Sequence, residues 1–477
     1  MITGRESQTK TLNELLTINK SSFVAVTGRR RVGKTYLIDT FYKKNISFRL
    51  TGIQNANKKE QLINFTNTLN KYSNLQLISP IKNWQEAFLY LKQYLETLNK
   101  RTKKVLFIDE LPWITTYKSN FLQFLAHFWN DYLSKEKHFI LVVCGSSTSW
   151  LTKKVINDKG GLHNRLTTTL NLKPFTLKET KNFFKSRKIS LNHTEISKIY
   201  MAFGGIPYYL EQVKKGESAT VAIERLCFSN DGMLKNEYDN LYKALFKNAD
   251  NYEAIVEVLA KSKQGLTTKE LILKSKVTSG GTFNRTLNDL LLTGFITELT
   301  PFERKKRGSL YRLNDEYSIF YHRFIKQNKR YTKGIWSQIS TSQNYKIWTG
   351  YAFENLCFKH LESIKKTLGI SGVYSQNYSL QVIANKEKNQ QGFQIDLIID
   401  RKDNVINLCE IKFYNAKFKI DKKYAETLRE RKQHFIDYTK TKKQVFTTFI
   451  TNYGVEKSNY GLEIMDVEIL LGDLFNS

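Results

Sequence analysis

Apolar positions along the chain change period several times, and each change marks a different element. Short β-branched and aromatic runs at Ser22–Thr27, Val105–Asp109 and Phe139–Cys144 alternate with longer amphipathic stretches. Residues 1–175 therefore predict an α/β layer around a mainly parallel sheet. Residues 176–245 read as helical, a lid in chain order. Residues 246–335 read as three short helices and a basic ribbon, the order of a winged helix. Its parts are Asn251–Ala260, a helix capped by Thr267 or Thr268, a recognition helix Phe283–Leu292, and a hairpin over Ile296–Arg312. Residues 340–477 open with a long helix and continue as period-2 strands, a second α/β unit. No internal repeat is visible, and no Pro-, Ser- or Gly-rich linker separates the parts.

The first strand runs directly into Gly28-Arg29-Arg30-Arg31-Val32-Gly33-Lys34-Thr35 and then into helical sequence. This is a complete GxxxxGK[ST] in a strand–loop–helix setting. Gly28 and Gly33 let backbone N–H groups curl around phosphate, and the helix N-terminus adds a positive dipole. Lys34 is expected to reach the β- and γ-phosphates of ATP, and the Thr35 hydroxyl to ligand Mg²⁺. The three arginines of the loop are expected to face solvent. The strand ending in Asp109-Glu110 supplies two adjacent carboxylates, Asp109 to hold Mg²⁺ through water and Glu110 to polarise the attacking water. A third strand ends in Cys144-Gly145-Ser146-Ser147, where Ser146 or Ser147 is a candidate γ-phosphate sensor.

Length and charge then bound the picture. At 477 residues the chain exceeds what one core organises, so two or three domains are expected. With 41% apolar and 13% aromatic residues, disorder is excluded as the main state. The four cysteines are far apart and form no CxxC pair, so neither a zinc knuckle nor a disulfide framework is indicated, and a reduced, cytoplasmic protein is expected. No apolar run approaches a membrane span, and the N-terminus lacks a signal-peptide layout. The formal charge is +31, from 75 Lys+Arg against 44 Asp+Glu. It is segmental: +20 over residues 1–200, zero over 201–300, +15 over 301–450 and −4 over 451–477. A polyanionic partner, DNA, is the expected owner of that surplus, although A/T-rich codons also favour lysine.

The order Gly4-Arg5-Glu6, GRRRVGKT, IDELPW, CGSS, Gly161-Leu162-His163-Asn164-Arg165, Leu172-Lys173-Pro174-Phe175 and Gly204-Gly205-Ile206-Pro207 resembles the archaeal-type ATPases, an AAA+/STAND-related P-loop family, over residues 1 to about 330. The resemblance implies that Pro207 and its glycines lie near the adenine and that Arg165 is a candidate arginine finger. Asn164 stands where the family usually has glycine. A homo-oligomer is compatible with the pattern. In the winged helix, Arg285 and Asn288 are the candidates for base contacts and Glu303–Gly308 for phosphate, set against a lid role for the same domain.

Near the C-terminus, Phe393–Ile399 alternates with period 2, which puts Gln394 and Asp396 opposite Phe393, Ile395, Leu397 and Ile399. After a turn, Glu410 and Lys412 share one face of the next strand. A hairpin can bring Asp396 beside them, and two carboxylates with a lysine can hold Mg²⁺ and steer water onto a phosphodiester. Upstream, Glu354 sits at helical spacing with Ile347, Tyr351, Phe358 and Leu361, costly for a carboxylate without a partner or cation. This set resembles the PD-(D/E)xK nuclease superfamily over about residues 340–450, with Ile395-Asp396 in place of Pro-Asp. It implies a restriction-endonuclease-like α/β domain. Gln433, His434, Lys417, Lys419, Lys422 and Lys423 are candidates for a DNA-facing helix and loop, or simply a solvated one. Three functions compete: an ATPase coupled to a Mg²⁺-dependent DNA nuclease, a regulatory ATPase switch whose last domain binds a partner without cleaving, or a nucleotide-binding scaffold with little turnover, against which Glu110 beside Asp109 argues.

Overall fold

The computed structural model describes residues 2–73, 81–116, 118–246, 248–262, 265–299, 302, 309–328, 330, 332–384 and 391–476. The chain divides into two compact units, Met1–Pro174 and Phe175–Ser477.

The first unit is built on five strands: β1 (Ser22–Gly28), β2 (Ile46–Thr51), β3 (Lys104–Asp109), β4 (Phe139–Cys144) and β5 (Thr168–Leu172). They pair in parallel in the order β2-β3-β4-β1-β5. Every residue of β1 and β4 is buried, as continuous apolar runs in a parallel sheet must be. Phe65, Trp84, Phe88, Phe121 and Trp129 pack in a core with Phe23 of β1 and Phe48 of β2. The strand order puts the ends of β1, β3 and β4 side by side, where a ligand site forms in such sheets.

The second unit begins with helices from Leu177 to Leu245 and continues with helices Ala249–Ala260, Thr268–Ser275 and Gly281–Leu292. Thr267 caps the middle one through a reciprocal box: Thr267 Oγ1 accepts the Glu270 N–H, and Glu270 Oε2 accepts the Thr267 N–H. The antiparallel hairpin of β6 (Ile296–Leu299) and β7 (Leu310–Leu313) follows. Helix Gln343–Lys359 leads into a mixed sheet of β8 (Ser375–Val382), β9 (Phe393–Arg401), β10 (Val405–Lys412), β11 (Gln444–Thr451) and β12 (Val467–Leu470). Its order is β12-β11-β10-β9-β8, with β8, β9 and β10 antiparallel and β10, β11 and β12 parallel. Helix Lys422–Thr439 joins β10 to β11. Among the described residues, no helix is long and apolar enough to cross a membrane.

Two periodicities differ from expectation. Along β9 the alternation breaks, because Tyr378 pairs with Ile398 while Leu380 pairs with Ile395. Two residues of β9, Asp396 and Leu397, thus oppose the single Ser379 of β8, a bulge. Ile395 and Ile398 consequently enter one core with Ile406, Leu408 and Phe435, which strict period 2 forbids. In helix Gln343–Lys359 the buried stripe is Trp348, Thr349, Ala352, Phe353, Leu356 and Cys357. Ile347 is exposed, and Leu361 belongs to the next helix, so Glu354 flanks the stripe rather than lying on it.

Candidate functional site

In the first unit the loop after β1 closes on its own lysine. Lys34 is 6% exposed, and its Nζ donates to the carbonyls of Gly28 (2.8 Å) and Arg29 (2.9 Å). Burial pushes its pKa down; Cys144, Glu110 and Asp109 pull the other way. Gly28 is required by space: a Cβ there would stand 2.3 Å from the Leu172 carbonyl oxygen on β5. Gly33 is required by conformation, with φ 89° and open space around its Cβ position. The arginines do not all face solvent. Arg29 is buried, because it leaves the fully buried β1 within the sheet layer, and Arg30 and Arg31 are half-buried.

Thr35 Oγ1 donates to Asp109 Oδ2 at 2.9 Å, which brings the helix start onto the end of β3. A hydroxyl and a carboxylate in contact beside a phosphate loop suit Mg²⁺, and these two residues would hold it. The other oxygen of Asp109 accepts from Cys144 Sγ at 2.8 Å, and Arg49 Nη2 lies 3.6 Å from Oδ2. Glu110 is oriented by Ser146: both its N–H and its Oγ donate to Glu110 Oε2 at 3.0 Å. Ser146 therefore grips the candidate base, where the sequence left it as a phosphate sensor. Ser147 stands at the N-terminal boundary of the short helix Thr148–Leu151, without a side-chain capping hydrogen bond. Arg165 lies exposed on a turn before β5.

Arg5 escaped attention as a working residue. It is 5% exposed, and its guanidinium donates to the carbonyls of Lys173 (2.7 Å) and Val32 (3.0 Å), bracing the phosphate loop against the end of β5. The signal available was Gly4-Arg5-Glu6 itself, with Arg5 at φ 70°.

Pro207 lies in the second unit, as the first residue of helix Pro207–Leu210. Packing accounts for Gly205, and for Gly204 a left-handed φ of 67° adds to it. A Cβ on Gly205 would meet the Phe175 carbonyl oxygen at 1.9 Å, and one on Gly204 would meet Glu316 Oε2 at 2.7 Å.

The C-terminal candidates come together on β9 and β10. Asp396 Oδ2 accepts the Ile411 N–H at 3.2 Å, and Gln394 Nε2 donates to Oδ1 at 3.4 Å. Glu410 Oε1 accepts from Tyr424 Oη (2.5 Å) and lies 2.7 Å from Lys412 Nζ; Oε2 accepts from Arg431 (2.5 Å). Tyr424 and Arg431 ride on helix Lys422–Thr439 and were not anticipated. Glu354 lies 3.8 Å from Arg312 Nη2 on β7.

Burial pushes the Asp396 pKa up to about 6, with Glu410 adding and Lys412 opposing. Burial and then Asp396 push Glu354 up to about 7 against Arg312 and Lys412. Burial also pushes Glu410 upward, but Lys412 and Arg431 outweigh it and hold the carboxyl below its usual range. Formally, Glu354, Asp396 and Glu410 are balanced by Arg312, Lys412 and Arg431. Among the described residues no three His, Cys, Asp or Glu side chains are grouped to ligate one metal ion. With its charges cancelled and Glu410 engaged at both oxygens, this cluster as arranged does not fit a divalent ion.

Arg285 and Asn288 are exposed on helix Gly281–Leu292. Glu303–Gly308 lie outside the described residues, but the adjoining Phe302 is buried against Tyr378 and Phe435 of the C-terminal core. Lys417, Lys419, Lys422, Lys423 and Gln433 are exposed, Gln433 donating to Asp437, while His434 is half-buried near Phe393.

A phosphate loop, an opposed Thr35–Asp109 pair and an adjacent oriented glutamate on a parallel sheet define a P-loop nucleotide hydrolase. Residues 2–213 match the model of an ATPase domain found predominantly in Archaea. An uncharacterized protein of Methanocaldococcus jannaschii, MJECL04, is 29% identical over 373 residues, 77% of this chain and 78% of that one. An uncharacterized ATP-binding protein of the same organism, MJ1659, is 32% identical over 196 residues, 40% of this chain and 51% of that one. Among solved structures, the Walker-type ATPase PABY2304 of Pyrococcus abyssi is similar in fold, with TM-score 0.50 and 19% identity, covering 68% of this chain and 96% of that one.

Proposed function

We propose that the protein is an AAA+-type ATPase that binds and hydrolyses ATP with Mg²⁺ and controls a nuclease-like C-terminal module acting on DNA. The observation that carries the ATP half is the 2.9 Å contact of Thr35 with Asp109, beside a buried Lys34 and a Glu110 held by Ser146. In this reading Lys34 leaves the Gly28 and Arg29 carbonyls for phosphate, and Glu110 orients water. Arg165, exposed on its turn, is free to serve a neighbouring copy as an arginine finger. The test is hydrolysis and nucleotide binding by wild type and Lys34→Ala. Unchanged behaviour in the variant defeats the assignment.

The DNA half rests on the meeting of Asp396, Glu410 and Lys412 on the adjacent antiparallel strands β9 and β10, and on the +15 charge of residues 301–450. The three helices and hairpin of residues 249–313 support a winged helix with Arg285 and Asn288 outward. Each phosphate contact steepens the salt dependence of binding by about 0.9 on B-DNA, so affinity that ignores salt counts against DNA as the partner. Plasmid incubated with Mg²⁺, with and without ATP, tests cleavage; equal degradation by Asp396→Ala or Lys412→Ala rules this site out.

One observation favours the second reading, a regulatory ATPase switch without cleavage: both oxygens of Glu410 are taken by Lys412, Tyr424 and Arg431. DNA or partner binding that follows ATP occupancy, with no cleavage under any nucleotide, selects it.

A further inference from the structure

At the end of the sheet opposite the nucleotide loop, the first unit carries a cleft of about 880 Å³. Its walls are the turns that lead into β1, β2, β3 and β4, through Ile18, Asn45, Lys103 and His138. The strands β1, β3 and β4 are six or seven residues long, so about 20 Å separates the cleft from the phosphate loop. Lys100, Arg101, Lys103, Lys135 and Lys137 line it, and among the described residues Glu136 is its only lining carboxylate. Lys103 Nζ donates to the carbonyls of Lys20 and Lys137, both at 2.7 Å, and the Ser21 hydroxyl donates to the Glu136 carbonyl at 2.8 Å. These bonds tie the turns before β1, β3 and β4 into one floor. Lys100 lies 3.3 Å from Glu136, and Lys135 lies 2.9 Å from Asp131. Arg101 and Lys137 are exposed, and among the described residues neither side chain has a hydrogen bond or an ion pair.

Helices Glu6–Thr17, Trp84–Glu96 and Phe121–Asp131 end on this side and supply roughly half a negative charge each. Even with Glu136 and Asp131 counted, the five cations exceed the negative charge around them. A concave strip of one sign of charge attracts a polyanion. The phosphates of ATP belong to the other end of the sheet and cannot use this surplus. Of the lining residues only Leu16 and Ile18 are large and apolar, whereas apolar and aromatic groups usually anchor a protein partner. Among the described residues no Phe, Tyr or Trp lines the cleft for unpaired bases to stack on. Lysine, arginine, threonine and asparagine side chains are the groups that contact backbone phosphates. We propose that this cleft docks the phosphate backbone of duplex DNA without reading its bases. It adds a contact surface on the ATPase unit itself and gives part of the +20 charge of residues 1–200 a role. This rests on DNA being the polyanionic partner.

The experiment is binding of a fluorescent duplex of about 30 base pairs to the full chain, without nucleotide or Mg²⁺, from about 50 to 300 mM KCl. Arg101→Gln combined with Lys137→Gln removes the two unpartnered cations. It is expected to lower the salt slope by about 1.8 and to weaken binding at least about tenfold near 0.1 M salt. Arg101→Lys combined with Lys137→Arg keeps both charges and should stay near wild type. Both pairs lie far from the phosphate loop and leave ATP affinity unchanged. Salt-dependent DNA binding by wild type that the glutamine pair does not alter overturns the role of the cleft and leaves DNA standing as the partner. No salt-dependent DNA binding by wild type overturns the DNA reading and this proposal together. An equal loss in the charge-keeping pair overturns the proposal as well, because charge is then not what binds. Poly-glutamate is the second probe: affinity for it that falls in the glutamine pair, while DNA affinity does not, assigns the cleft to an acidic protein and defeats the DNA assignment.

Discussion

Glu110 Oε2 accepts two hydrogen bonds from Ser146, one from the backbone N–H and one from the hydroxyl. The end of β4 thus orients the carboxylate that follows β3. Glu110→Gln keeps an acceptor for Ser146 but loses proton affinity, so the hydrolysis rate should fall at least about a hundredfold. ATP affinity should change by less than about threefold, because the lost interaction belongs to the transition state. Single-turnover hydrolysis beside fluorescent-nucleotide titration checks both numbers.

The two glycines of the phosphate loop should respond differently to alanine. At Gly28 the new Cβ meets the Leu172 backbone oxygen at 2.3 Å, and β5 cannot yield without breaking its pairing with β1. A loss of about 3 kcal/mol is expected. At Gly33 the Cβ meets nothing within 4 Å, and only the left-handed conformation costs, about 1–2 kcal/mol. Urea denaturation of the two variants tests the order.

Arg5→Ala removes donors from two carbonyls, Val32 and Lys173, in a place water reaches poorly. Stability should drop by about 2–4 kcal/mol. KM for ATP should rise, since Val32 belongs to the phosphate loop. Arg5→Lys cannot span both carbonyls with one planar fork and should recover only part of each.

Two buried histidines give the second unit an acid-sensitive stability. His360 Nε2 accepts the Leu177 N–H (2.9 Å), so Nδ1 carries the proton and donates to the Leu356 carbonyl (2.8 Å). Burial lowers its pKa from 6.5 to about 4. His322, against the Tyr238 hydroxyl at 2.8 Å, is likewise lowered by burial to about 4. The unfolded chain takes up protons near pH 6.5 and the folded chain only near 4, so the contribution is complete above 6.5 and is lost as pH falls toward 4. Each histidine accounts for on the order of 3 kcal/mol across that window. Urea midpoints from pH 7.5 to 4.5 should fall more steeply in wild type than in His322→Gln.

Phe302 packs edge-on to Tyr378, ring centroids 5.1 Å apart, and 5.5 Å from Phe435. Phe302→Ala should cost about 3 kcal/mol or more. Phe302→Leu should cost clearly less. Thermal or urea unfolding of the two variants decides whether the hairpin is docked by this contact.

The chain alone determined what contiguous residues can encode. Strand, glycine loop, Lys34 and Thr35 follow one another without a gap, so the phosphate site is written in one segment. The spacing of two between Glu410 and Lys412 assigns them to one face of β10, and Thr267 with Glu270 marks a helix start by itself. Tertiary structure decided everything that depends on which distant groups share a dry space. Arg312, Tyr424 and Arg431 reach the carboxylates from other elements, and no local pattern distinguishes them from solvated residues. The bulge at Asp396 arises from pairing with β8, not from the composition of β9. Ser146 meets Glu110 because β3 and β4 are neighbours in the sheet. Charge neutralisation and hydrogen-bond pairing act through space at low dielectric, and only the packed fold sets which charges meet.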